Sequence, residues 1–90
     1  MAMFLLSFVE HDRAEKLEER LKEKAVLYKE VSKGCFALSS STLVAPKDMC
    51  EALGVRDGEF GQLLIVRFDS YWGFHDTSLW DWFKGVREVL

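Results

Sequence analysis

The sequence predicts an α+β domain built on one antiparallel sheet, and three observations carry that prediction. The apolar run Leu63 to Phe68 has strand length and is β-branched at Ile65 and Val66, so it reads as a strand buried on both faces. Two segments, opening near Asp12 and at Pro46, combine helix-start chemistry with helical apolar spacing, and each lies between stretches of strand character. A dense aromatic block from Tyr71 to Phe83 is too apolar for a solvated tail and must fold back onto the rest of the chain.

Met3 to Val9 is apolar and β-rich, a first strand. Asp12, Arg13, Ala14 and Glu15 have the spacing of a capping box, in which the Asp12 carboxylate accepts the N–H of Glu15. Ala14, Leu17, Leu21 and Ala25 then recur at three- and four-residue steps, giving a charged helix one narrow apolar stripe. Val26 to Val31 and Cys35 to Ser39 read as a hairpin around the turn Ser32, Lys33, Gly34. Pro46 suits the first turn of a second helix, where its missing N–H has no partner to lose, and Gly54 suits its left-handed cap. Met49, Ala52 and Leu53 form that helix's apolar side. A polar loop from Arg56 to Glu59 leads to the strand at Leu63. Ser78 can cap a last short helix on which Leu79, Trp82, Phe83 and Val86 share a face.

The order is therefore βαββαβ with a C-terminal aromatic-rich extension. That is the ferredoxin-like, split βαβ arrangement: one antiparallel sheet with two helices on one face. The other face needs cover, from the aromatic block or from a second subunit.

Ninety residues, 49% of them hydrophobic, make a single domain over residues 1–90 with a real but thin core. A formal net charge of −3 argues against holding nucleic acid by bulk charge. Lys22, Lys24, Lys29 and Lys33 fall close together, but mixed with glutamates they read as a solvated face. Cys35 and Cys50 have neither CxxC spacing nor a histidine at zinc-finger distance, and read as two small thiols in a reducing cytoplasm. Met3 to Val9 is too short for a membrane span and lacks a basic flank, so the sequence points to a cytoplasmic protein with no membrane partner.

Candidate chemistry is sparse. His11 lies between Glu10 and Asp12, and His75 precedes Asp76; each is a candidate general base or metal ligand and equally a surface-loop residue. Ser39 to Thr42 lacks the GxSxG frame of a nucleophile and reads as turn and capping residues. Gly54, Gly58 and Gly61 have no dinucleotide- or phosphate-loop spacing. Arg67 and Asp69 share a strand face by period two, as an ion pair at a sheet edge or dimer seam; Arg67 is alternatively an anion- or backbone-contacting residue. Tyr71, Trp72, Phe74, Trp80 and Trp82 are rings for core, for a subunit interface or for stacking bases, and few basic residues interleave with them. Arg67, Trp72 and Phe74 are the candidate binding residues.

Leu63 to Arg67, then Trp72, Gly73 and Phe74, then Trp82, Phe83 and Lys84 resemble the C-terminal signature of SinR-like small proteins. That family is related in fold to the small CRISPR-associated endonuclease and scaffold family and to virulence-associated protein D toxins. The likeness covers roughly the last third of the chain; before that, only the order of elements agrees. It implies a ferredoxin-like fold and a homodimer. Nuclease members of the CRISPR-associated relatives carry an aspartate at the end of the first strand that helps hold a divalent metal. Val9 stands at the aligned position and offers no oxygen donor. The resemblance thus implies a dimeric, non-catalytic interaction, scaffold or regulatory protein with no cofactor. The alternative is a toxin-like ribonuclease using Mg or Mn, its site rebuilt from Glu10, His11 and Asp12.

Overall fold

The computed structural model describes residues 2–55 and 58–88, so Arg56 and Asp57 of the expected loop lie outside the described residues. The elements run β1 (Ala2–Phe8), α1 (Ala14–Glu23), β2 (Leu27–Ser32), β3 (Cys35–Ser40), α2 (Pro46–Leu53), β4 (Leu63–Phe68) and α3 (Thr77–Glu88), with a 3-10 turn at His11–Arg13 leading into α1. The strands form one sheet in the order β2-β3-β1-β4, every neighbouring pair antiparallel. This is an α+β fold, and no helix among the described residues is long and apolar enough to cross a membrane.

Strand alternation sorts the side chains onto two faces. Phe4, Leu6 and Phe8 of β1, Phe36 and Leu38 of β3 and Ile65 of β4 meet Leu17 and Leu21 of α1 and Met49 and Leu53 of α2 in one buried cluster. On the opposite face Met3 and Ala37 meet Leu79, Phe83 and Val86 of α3 in a second, smaller one. Val31 of β2 packs against this second cluster, on the face opposite Tyr28 as alternation requires, next to a register shift between Glu30 and Ser32.

β4 corrects the sequence reading. It lies at an edge of the sheet, paired only with β1, and its apolar run is buried on one face alone. Ile65 is buried, while Leu64 stands 64% and Val66 41% exposed on the α3 side. A one-dimensional apolar run cannot tell a central strand, or one covered on both faces, from an edge strand covered on one.

Two helix starts also differ. Asp12 does not cap α1: the chain enters through the 3-10 turn, α1 begins after Arg13, and neither start has a side-chain cap bond. For α3 the cap is Asp76 rather than Ser78, since the Asp76 carboxylate accepts both the Ser78 hydroxyl and the Leu79 N–H. Those two bonds, the hydroxyl first, hold the Asp76 carboxyl below its ordinary range. α2 is as expected, with Pro46 at its start and Gly54 in the left-handed conformation at φ 70° after its end.

Ala25 does not continue the α1 stripe. It is exposed and left-handed at φ 56°, donating to the Lys22 carbonyl while Val26 donates to that of Leu21. This is a Schellman end, with Val26 and Leu21 both buried, but the usual glycine is replaced by alanine. A left-handed alanine costs about 1–2 kcal/mol, whereas glycine costs about 0.4–1 kcal/mol through the freer unfolded chain. The first outweighs the second, so Ala25→Gly is expected to raise the urea midpoint rather than lower it.

The segment before β4 is fastened by charge. Arg20 donates to the Leu53 carbonyl at 2.6 Å and to both Glu59 carboxylate oxygens at 3.1 Å, with its guanidinium over the Phe60 ring. Lys16 meets Glu59 at 3.1 Å, and Arg13 donates to the carbonyls of Gly58 and Glu59. Lys16 first, then Arg20, holds the Glu59 carboxyl below the ordinary glutamate range. A carboxylate depressed in the folded state contributes stability above its unfolded pKa and loses it as pH falls through the folded value. Acid titration of stability is therefore expected to show a loss in this range that Glu59→Gln flattens.

Candidate functional site

Glu10, His11 and Asp12 follow β1 and are all exposed. They do not converge. The Glu10 side chain lies over Gly61, and the His11 ring meets Phe8 edge-on at 5.8 Å between centroids and lies against Gly34. Among the described residues no three His, Cys, Asp or Glu side chains gather into a group able to hold a metal ion. Val9, just past β1, is exposed.

His75 has both ring nitrogens engaged. Nε2 lies 2.8 Å from the Val31 carbonyl, and the Asp76 N–H donates to Nδ1 at 2.9 Å. A carbonyl only accepts, so Nε2 carries a proton and donates it, which ties the chain after β4 to β2. This is a positioning arrangement rather than that of a general base. The Ser40 hydroxyl accepts the N–H groups of Thr42 and Leu43, the turn use expected of that cluster, while the buried Ser39 hydroxyl has no partner among the described residues. Burial raises the pKa of both Cys35 and Cys50, which keeps the thiols protonated and poorly nucleophilic.

Arg67 forms no ion pair with Asp69. Its Nη1 donates instead to the Val44 carbonyl at 3.0 Å, pinning the loop after β3 to the outer strand. The backbone-contacting alternative is the one realised, because Arg67 reaches across to a chain segment that strand periodicity does not register.

The aromatic block divides in two. Phe83 and Leu79 go into the small core, and Tyr71 stacks on Phe83 with centroids 4.2 Å apart. Trp72 and Phe74, by contrast, stand fully exposed in the extended segment between β4 and α3. They flank an open groove of about 380 Å³ with Leu5 and Val66 among its floor residues and Tyr71 and Trp80 in its wall. A second concavity of about 330 Å³ is lined by Tyr71, Trp72, Gly73 and Trp80. No Asp, Glu, Lys or Arg lines either hollow among the described residues.

This surface suits binding by apolar contact and indole N–H donation, and supplies no acid–base pair. The sequence singled out Trp72 and Phe74 but not the groove beside them, nor the open edge of β4. No family model matches the chain, and no curated protein or solved structure is detectably similar to it.

Proposed function

We propose that this chain is a small interaction, scaffold or regulatory protein that works as a homodimer through the free edge of β4, without catalysis and without a cofactor. One observation carries the reading. A segment with the composition of a central strand lies at an edge, with Leu64 and Val66 exposed and, among the described residues, no backbone hydrogen bond from another segment to its outer side. An open, flat, apolar edge is a template for another strand. A second β4 across a two-fold axis gives each β4 two neighbours and makes the interface self-complementary, as cyclic dimers require.

The strand order, with α1 and α2 sharing one core, supports assigning a ferredoxin-like fold, and with it the resemblance to SinR-like and CRISPR-associated small proteins. Exposed Val9, where the nuclease members have an aspartate, supports the non-catalytic side of that resemblance. Free thiols at Cys35 and Cys50 fit a cytoplasmic setting.

Sedimentation equilibrium at micromolar protein tests the reading, with twice the chain mass expected and a clean monomer overturning it. In a ribonuclease assay with Mg²⁺ or Mn²⁺ no turnover is expected. Activity that Asp12→Ala abolishes in a folded protein would establish the metal-dependent ribonuclease at Glu10, His11 and Asp12 instead.

A further inference from the structure

We propose that His75 guards the outer edge of β2, so that pairing through β4 stops at two copies of the chain instead of running on as an open sheet. This role rests on the β4 pairing proposed above and supplies what limits it. The sheet has two outer strands, β2 and β4. A free edge is a template for a further strand. One self-complementary edge closes a pair, whereas two of them on opposite sides of the sheet link copies without end.

The two edges are built differently. β4 keeps an unbroken register with β1 and exposes Leu64 and Val66. β2 is irregular between Glu30 and Ser32, carries the charges of Lys29 and Glu30, and takes a side-chain bond on its backbone, where His75 Nε2 donates to the Val31 carbonyl at 2.8 Å. Bulges, charged side chains and a covering segment are the devices that keep an edge strand from pairing. β2 has all three.

The direction of the Val31 carbonyl decides what the bond does. Backbone groups of successive strand residues turn alternately toward one neighbour and the other. Ser32 pairs with Cys35 across the turn at Lys33 and Gly34, and Val31 beside it has no partner in the register with β3. Its carbonyl therefore lies outside the β2–β3 ladder, where an added strand would need it. His75 occupies that acceptor from the segment entering α3, and α3 itself lies against β2. Leu27, at the start of β2, is 46% exposed, so an unguarded edge has an apolar residue to offer the β2 of a second copy.

Two substitutions of His75 with opposite expected results test this. Asparagine puts its amide near the place of Nδ1 and stops short of the Val31 carbonyl, whereas the glutamine amide nitrogen reaches the place of Nε2. In sedimentation equilibrium His75→Asn should exceed twice the chain mass and grow with concentration, while His75→Gln should stay at twice the chain mass like the wild type. Adding Leu27→Arg to His75→Asn should return it to twice the chain mass, which general misfolding would not do. With Leu64→Arg closing β4, adding His75→Asn should raise the mass from one chain to two, now through β2. A monomeric wild type would sink the β4 dimer alone, since His75→Asn should then still form pairs through β2. A folded His75→Asn at wild-type mass, equal growth of His75→Gln, or larger species that Leu27→Arg fails to disperse would overturn the guard. Should circular dichroism show His75→Asn unfolded, the histidine ¹⁵N shifts of the wild type decide: a proton on His75 Nε2 upholds the bond to Val31, and a ring protonated at Nδ1 alone overturns it.

Discussion

Phe83→Ala is expected to cost about 3–5 kcal/mol, the range for deleting a buried phenyl ring whose site cannot collapse. Phe83 is buried and central to the smaller cluster, its ring meeting those of Phe68, Tyr71, Trp80 and Trp82. Its ring stacks on Tyr71 at 4.2 Å and meets Phe68 edge-on at 6.0 Å, so it links α3, the segment after β4 and the sheet at once. Small domains are stable by about 5–15 kcal/mol, so the loss is a large fraction of the whole. Urea unfolding should show a much lower midpoint. Trp82→Ala should cost distinctly less, because that indole is half-buried and meets Phe83 only edge-on at 5.5 Å. A Phe83→Ala protein as stable as the wild type would mean that α3 is not seated on the sheet in solution.

Where the chemistry is local, the sequence was readable. Pro46 and Gly54 delimit α2 because one lacks the N–H that a helix start does not need and the other tolerates φ 70°. The turn at Lys33 and Gly34 is legible for the same reason: Gly34 is left-handed, and a Cβ there would meet the His11 ring and the Phe8 carbonyl. Misreadings arise where neighbours compete. Asp12 has the spacing of a cap, yet a 3-10 turn puts it inside the entry to α1; Asp76 and Ser78 are both capping residues, and the aspartate takes the position.

The candidate site was half legible. Aromatic density marked residues 71–83 as important, but density says nothing about which rings turn inward. Phe83 and Leu79 follow the buried face of α3, while Trp72 and Phe74 precede the helix in an extended segment held by His75 and so escape its periodicity. The partner of Arg67 was out of reach, since its carbonyl acceptor belongs to Val44, a distant loop residue. The position of β4 was unreadable because strand order is a tertiary fact, and the same apolar run serves a central strand or an edge strand completed by another chain.

That ambiguity leads to the second large effect: Leu64→Arg should convert the proposed dimer to monomer at micromolar concentration while leaving the fold intact. Leu64 is already 64% exposed in the single chain, so arginine there meets water and makes no cavity. In a two-fold β4–β4′ interface the same residue occurs twice near the axis, and each substitution places a cation in a closing apolar seam. An uncompensated buried charge costs several kcal/mol, and like charges facing across the axis add to it. The doubling makes the effect larger than any single exposed substitution produces in a monomer. Leu27→Arg is the control, since Leu27 is an exposed leucine on β2, at the opposite edge of the same sheet. Sedimentation equilibrium should give the chain mass for Leu64→Arg and twice that mass for Leu27→Arg, with unchanged circular dichroism for both. A dimer that survives Leu64→Arg but falls apart with Leu27→Arg would move the interface to β2. A dimer that survives both would leave β4 an edge in solution as it is in the single chain, and the reason for its apolar outer face would then have to be sought in the aromatic groove beside it.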